Sequence, residues 1–282
     1  MNIKATIIIL DYMKAQQVVE NVESIYKQKV DFAFKIIVID NSCHEVNASY
    51  LRELKTRRPE IHLEINKTNL GYTKAHNSIK HLIEGEYIFI INPDIFLMGE
   101  NVLQKMLEYM DANPQVGISG PKQINETGGV TMSIRAFPKF YLQVARRTFF
   151  RHLPIIKSLV SYDEMQHLNY DKIQDVDWLQ SSFVVIRHEL WKKIRGFNER
   201  YFMFMSDVEI CFEAWRLGYR VVYYPEVFVH ADGKRASAGG FKKFFQSWVL
   251  RQHVVDSMKY RWKHFFHKNP RLKRASIRHP RA

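Results

Sequence analysis

The chain of 282 residues has only two cysteines, Cys43 and Cys211, far apart in sequence. That excludes a disulfide framework, and a reduced, cytosolic protein is the simplest reading. No stretch approaches the roughly 18 consecutive apolar residues a membrane span needs. The amino terminus, MNIKATIIIL, lacks a long apolar run closed by a small-residue cleavage site, so no secretory signal is expected. Internal repeats and low-complexity stretches are also missing. Acidic residues nearly vanish at the end of the chain: residues 242–282 carry 12 Lys/Arg against one acid, Asp256. The other 241 residues hold 30 Lys/Arg and 28 Asp/Glu, so the formal charge of +13 belongs to the tail. The near-neutral body is not expected to act through nucleic-acid phosphates.

What is present alternates. Residues 4–11 and 34–40 are apolar on both faces, as in buried parallel strands, and a third strand is expected at 61–66. Helical spacing occupies 15–28, 47–58 and the stretch after Gly71, before a strand at 86–91. This order predicts an α/β layer architecture with a parallel sheet. A helix at 101–112, strands at 116–120 and 182–187, and helices at 188–194 and 206–217 follow, then one or two strands between 219 and 233. Residues 125–140 read as loop, and 141–175 show no clean period.

In such sheets ligands sit beyond the carboxyl ends of the strands. Three expected strands end on acid-bearing loops, at Asp11, at Asp40-Asn41-Ser42 and at Asn92-Pro93-Asp94. Each has a plain alternative as a turn, since Asn-Pro and Asx residues start turns by themselves. Ser206-Asp207-Val208-Glu209 opens a helix, and Ser206 with Glu209 could be only a capping box. A single His ending a strand, His230, is by itself most simply structural. In the tail, Phe241, Phe244, Phe245, Trp248 and Val249 recur at helical spacing among cations. That pattern fits a membrane surface, or a helix packed on the body followed by a disordered basic end.

Six blocks in order resemble the family 2 glycosyltransferases, inverting enzymes of the GT-A fold, most nearly the bacterial branch containing rhamnosyltransferases. They are IIVIDNSC, NLGYTKAHN, INPDI, DWLQSSFVVIRHELWKKIRGFNERYF, FMFMSDVEICFEAWRLG and PEVFVHADGKRAS, and the resemblance covers roughly residues 4–235. The resemblance implies an α/β, GT-A (Rossmann-like) fold: a mixed, mainly parallel sheet flanked by helices, with a basic C-terminal helical tail. It implies a catalytic domain over 1–238, its first 120 residues or so binding nucleotide sugar, and the tail over 239–282. Asp207 is the implied catalytic base, and Asp94 and His230 the implied ligands of Mg²⁺ or Mn²⁺. Donor contacts fall to Asp11, Asp40, Asn41, Asn69, Gly71, Asn77, Asn92, Lys234 and Arg235. Trp178, Ser181, Arg135 and Glu209 are placed near donor or acceptor sugar. The chain departs from the pattern at Tyr72 (for Phe), Asn92 and Glu209 (for Asp), Ser181 and Arg195 (for Gly), Asn198 (for Asp) and Ser206 (for Glu).

The function this implies is transfer of a sugar, L-rhamnose from dTDP-rhamnose first, to a saccharide acceptor carried on lipid, in cell-surface polysaccharide synthesis. UDP-hexose or UDP-N-acetylhexosamine transfer is the alternative within the family. A non-catalytic saccharide- or nucleic-acid-binding protein is the alternative outside it, though no nucleic-acid motif accompanies the charge. The enzyme is expected in the cytoplasm, peripheral on the inner membrane face.

Overall fold

The computed structural model describes residues 2–138, 153–163, 165, 168–232 and 247–272. The chain runs β1 (Ile3–Asp11), α1 (Ala15–Tyr26), β2 (Ala33–Asp40), α2 (Glu45–Arg57), β3 (His62–Ile65), α3 (Gly71–Ser78), β4 (Tyr87–Ile91), β5 (Ile95–Leu97) and α4 (Val102–Ala112). It continues through β6 (Val116–Ile124), β7 (Ile134–Arg135), α5 (Pro154–Asp163), β8 (Gln174–Asp175), β9 (Trp178–Leu179) and β10 (Phe183–Arg187). The last elements are α6 (His188–Ile194), α7 (Ser206–Arg216), β11 (Arg220–Ala231) and α8 (Trp248–His264).

The main sheet has the order β3-β2-β1-β4-β10-β6-β11-β5, with β8 beside β11. The half from β3 to β4 is parallel, as the strand–helix alternation predicts. Beyond it the sheet is mixed: β10 runs antiparallel to both β4 and β6, and β11 runs parallel to β6. Alternate residues of the strands feed two cores. Ile7, Ile9, Val38, Phe89 and Ile91 meet α1, α2 and α4 on one face. Ile8, Ile37, Ile39, Ile88 and Ile90 meet α3, α6, α7 and α8 on the other. Helices cover both faces, which is why these strands carry no polar stripe.

One boundary differs from the sequence reading, and a second choice left open there is settled for the same reason. The strand expected at 116–120 continues to Ile124 through Pro121, and β11 is a single strand through Pro225. Their register slips between the Tyr224↔Pro121 and Phe228↔Lys122 pairs. Residues without an N–H are tolerated at such an irregularity, so both prolines stay inside strands. Gly218, with φ +88°, follows the end of α7 and donates back to Trp215, as its position predicts.

The described part of the tail, residues 247–272, packs on the body. Tyr260 of α8 belongs to the core under α6 and α7. Apart from Leu250 and Tyr260, α8 buries no other large apolar side chain, so polar anchors hold it. Lys263 Nζ and His264 Nε2 (2.7 Å) donate to Glu209, and Asn269 and Arg271, at 3.0 and 2.9 Å, reach Asp177. Phe241, Phe244 and Phe245 lie outside the described residues.

Candidate active site

The strand directions bring the candidate residues to one edge. β1, β2 and β4 are parallel and deliver Asp11, Asp40 and Asn92-Pro93-Asp94 to their carboxyl ends. Because β10 is antiparallel to β4, its leading residues Ser181 and Ser182 arrive at that same edge. The Asn92 N–H donates to the Ser182 carbonyl at 2.8 Å. β11 ends there too, with His230 paired opposite Phe96, two residues past Asp94.

Asp207 opens α7. Its carboxylate accepts the Val208 N–H at 2.9 Å, with backbone N–H groups of Asp207 and Ser181 also directed at it. Burial pushes the carboxyl up to about 6, against the pull of those donors and of the Arg135 charge. An acid with that pKa is ionised at neutral pH and basic enough to take a proton, the balance a general base needs. The Tyr72 hydroxyl donates to Ser181 Oγ at 2.9 Å, and burial pushes the Tyr72 phenol well up, so it remains a donor. Arg135 and Trp178 face each other across the β7–β9 ladder, and the Trp178 indole N–H donates to the Ala136 carbonyl. Asp207 and Ser181, named separately from sequence, thus meet, with Tyr72 added and the Arg135 charge felt at Asp207.

The capping-box alternative does not form. Met205, in the left-handed region at φ +65°, is the N-cap of α7, with no side-chain cap. Glu209 requires a correction: two residues on, about 200° around the helix, it points away from Asp207. It is 3% exposed and accepts from Tyr201, Lys263 and His264. Burial by itself raises its carboxyl, but the His264 and Lys263 hydrogen bonds prevail and hold it below the usual range. With three protein donors on its carboxylate, Glu209 anchors α8.

Several residues assigned to the donor are occupied by protein partners. The Asn41 amide bonds the Asn69 side chain (2.9 Å), the Leu70 N–H (3.0 Å) and the Asn66 amide (3.1 Å), locking the loop before α3. Asn77 holds Phe197 through both its N–H and carbonyl and also reaches Glu199. Asp11 and Asp40 pair in register at the ends of β1 and β2, fully buried, with the Asn47 amide donating to both. Desolvation raises the Asp11 carboxyl. Asp40 Oδ2 is enclosed and accepts no hydrogen bond among the described residues. Lys234 and Arg235 lie outside the described residues.

Asp94 accepts from Lys14 Nζ at 3.0 Å, a contact the sequence reading missed. The ammonium already balances this partly exposed carboxylate with a cation. Among the described residues no three His, Cys, Asp or Glu side chains form a cation cage. At the same edge of the sheet Asp94 carries a carboxylate and His230 an imidazole. That suits Mg²⁺ or Mn²⁺, which keep waters and take phosphate oxygens for the rest.

A family model described as "Glycosyltransferase like family 2" matches residues 4–249. The chain is 26% identical over 194 residues to N-acetylglucosaminyl-diphospho-decaprenol L-rhamnosyltransferase of Mycobacterium tuberculosis, covering 63% of this chain and 62% of that protein. It is 22% identical over 190 residues to Rhamnosyltransferase WbbL of Escherichia coli K12, covering 62% and 65% respectively. It therefore spans less than two thirds of either relative's length. Among solved structures, mannosyltransferase PcManGT from Pyrobaculum calidifontis, in complex with GDP-Man and Mn²⁺, matches with a TM-score of 0.57 at 17% identity. That match covers 92% of this chain and 65% of the other, and at such identity it shows the fold alone.

Proposed function

This chain belongs to glycosyltransferase family 2, and from that premise we propose that it is an inverting, metal-dependent transferase of a sugar from a nucleoside diphosphate donor to a saccharide acceptor. Asp207 carries the reading: a carboxylate at a helix N-terminus, raised to about 6, beside Ser181 and Arg135 at the ligand edge of the sheet. Asp207 removes the proton of an acceptor hydroxyl as its oxygen bonds to the anomeric carbon from the face opposite the diphosphate. The bond from that carbon to the diphosphate oxygen breaks, and the electron pair leaves with the nucleoside diphosphate. Tyr72 and Ser181 hold the acceptor side, and Arg135 supplies positive charge beside the base. A divalent cation held by Asp94 and His230 would supply charge that stabilises the departing diphosphate. Asp40 Oδ2, at the carboxyl end of β2 and without a protein donor, would accept the N3–H of a pyrimidine base once the loop over it opens.

The two rhamnosyltransferase relatives favour dTDP-L-rhamnose as donor, and the mycobacterial relative's name favours a lipid-linked acceptor. The test is thermal stabilisation by dTDP, UDP and GDP, each with and without Mn²⁺, on wild type and Asp94→Ala. One nucleotide should stabilise the wild type in a Mn²⁺-dependent way and fail on the mutant. No shift with any nucleotide would remove the transferase reading.

The exposed side of α8 and the turn after it supports attachment to an anionic membrane at the cytoplasmic face. Trp262 and Phe266 are 86% and 92% exposed, with Met258 and Phe265 nearby among Lys and Arg. Vesicles containing phosphatidylglycerol should sediment the protein and neutral phosphatidylcholine vesicles should not, and Trp262→Ser with Phe266→Ser should abolish the binding. Equal sedimentation of wild type and variant would refute membrane attachment through this face.

A further inference from the structure

We propose that α8 is a working part of the active site, with Asp256 as the positioning residue that sets both the Asp207 carboxylate and the loop at Gly71. The inference rests on Asp207 as the base. Asp256 is the single acid in the basic tail and is completely buried. Its carboxylate accepts three consecutive backbone N–H groups, from Phe202 at 3.2 Å and from Met203 and Phe204 at 3.0 Å. Gln252 donates to the same carboxylate at 2.9 Å. An anion cupped by consecutive amides is a strong, directional grip, because charge-assisted bonds are the strong class.

The gripped segment has two ends that matter. At its far end, Met205 takes φ +65°, costly for a residue with a side chain, and two residues later comes Asp207. That turn persists only while its surroundings hold it. At its near end, the Phe202 carbonyl accepts the Tyr72 N–H at 2.6 Å, and the Phe202 ring and carbonyl cover Gly71. The Tyr201 carbonyl likewise accepts the Thr73 hydroxyl. One carboxylate from the tail therefore fixes the segment joining the loop before α3 to the start of α7. The Phe202 and Trp248 rings, 5.2 Å apart, add an apolar contact at the beginning of α8.

The experiment compares the full-length wild type with Asp256→Asn and with Gln252→Ala, which loosens the carboxylate without removing it. Amide hydrogen exchange is read for Phe202–Phe204, for Tyr72 and for strands β1 and β4. In Asp256→Asn the first two sets should exchange at least about tenfold faster with the strands unchanged, and Gln252→Ala should shift them less in the same direction. With the sugar nucleotide of the base selected by the thermal screen, kcat should fall about tenfold or more in Asp256→Asn. The acid limb of its pH profile, expected near 6 in the wild type, should move as well. Unchanged exchange at 202–204 and Tyr72 overturns the proposal. So does a uniform rise that includes the core strands, because Asp256 is then a general stabiliser. Fast local exchange with wild-type kcat and pH midpoint also overturns it. Should no nucleotide stabilise even the wild type, the transferase reading fails, and exchange alone decides whether Asp256 holds the segment.

Discussion

Asp207→Asn should lose about 10³-fold in turnover, within the range general bases contribute, while the protein becomes more stable at neutral and alkaline pH. Both effects have one origin. Burial raises the carboxyl from the ordinary 3.8 to about 6, so the folded state holds the proton more tightly than the unfolded chain does. Below 3.8 both states are protonated and the group costs nothing. As pH climbs to about 6 the unfolded chain ionises first, and the folded state loses relative stability. Above that the penalty is complete, and one pKa unit corresponds to about 1.4 kcal/mol. Asparagine never ionises and escapes the penalty. Its advantage over wild type should thus be near zero at the acid end and grow to about 2 to 3 kcal/mol above about pH 7. Urea unfolding of both proteins at several pH values measures this. A gain that does not depend on pH, or a loss, would show that the Asp207 carboxylate is not strained by burial, and with it would go the physical basis for calling it a base.

Much of the site was legible in the sequence because strand direction alone places residues. Apolar runs that stop at Asp11, Asp40 and Asn92-Pro93-Asp94 can be read as strands with polar carboxyl ends, and a parallel sheet puts those ends on one edge. Ser181 required one step more. The run Phe183–Arg187 shows that a strand exists but not its direction, and only the antiparallel pairing with β4 brings Ser181 beside Asp207. The resemblance put Glu209 near donor or acceptor sugar, and a motif position does not say what covers a side chain. The covering element is α8, about 50 residues away in sequence, arriving with Lys263 and His264. Asn41, Asn69 and Asn77 fit a ligand-binding pattern, but an amide has donors and acceptors for protein as well as ligand, and the structure spends them on its own loops. Asp256 left a signal in its isolation among cations. What it grips, however, is backbone, and backbone N–H groups have no sequence signature. Lys14 had the weakest signal of all, a single cation three residues past Asp11 on an otherwise ordinary helix start.

Gly71→Ala should be the most damaging single-methyl change in this region, costing about 3 kcal/mol, whereas Gly99→Ala should cost about 1 kcal/mol. The two glycines share the same backbone demand: φ is +73° at Gly71 and +82° at Gly99, where a side chain is strained whatever the space around it. They differ in what a methyl group would meet. At Gly99 there is nothing within 4 Å. At Gly71 the new carbon would stand 2.6 Å from the Phe202 carbonyl oxygen and 2.8 Å from its ring. The carbonyl cannot withdraw cheaply, because it accepts the Tyr72 N–H and its own segment is held by Asp256. The difference between the two losses, read from paired urea titrations, therefore measures the close approach of the 202 segment free of the conformational term. Equal losses would mean that Phe202 yields freely and that the contact between it and the loop before α3 is slack. A loss confined to Gly71→Ala and accompanied by weaker nucleotide stabilisation would instead tie the packing of this one glycine to the donor side of the crevice.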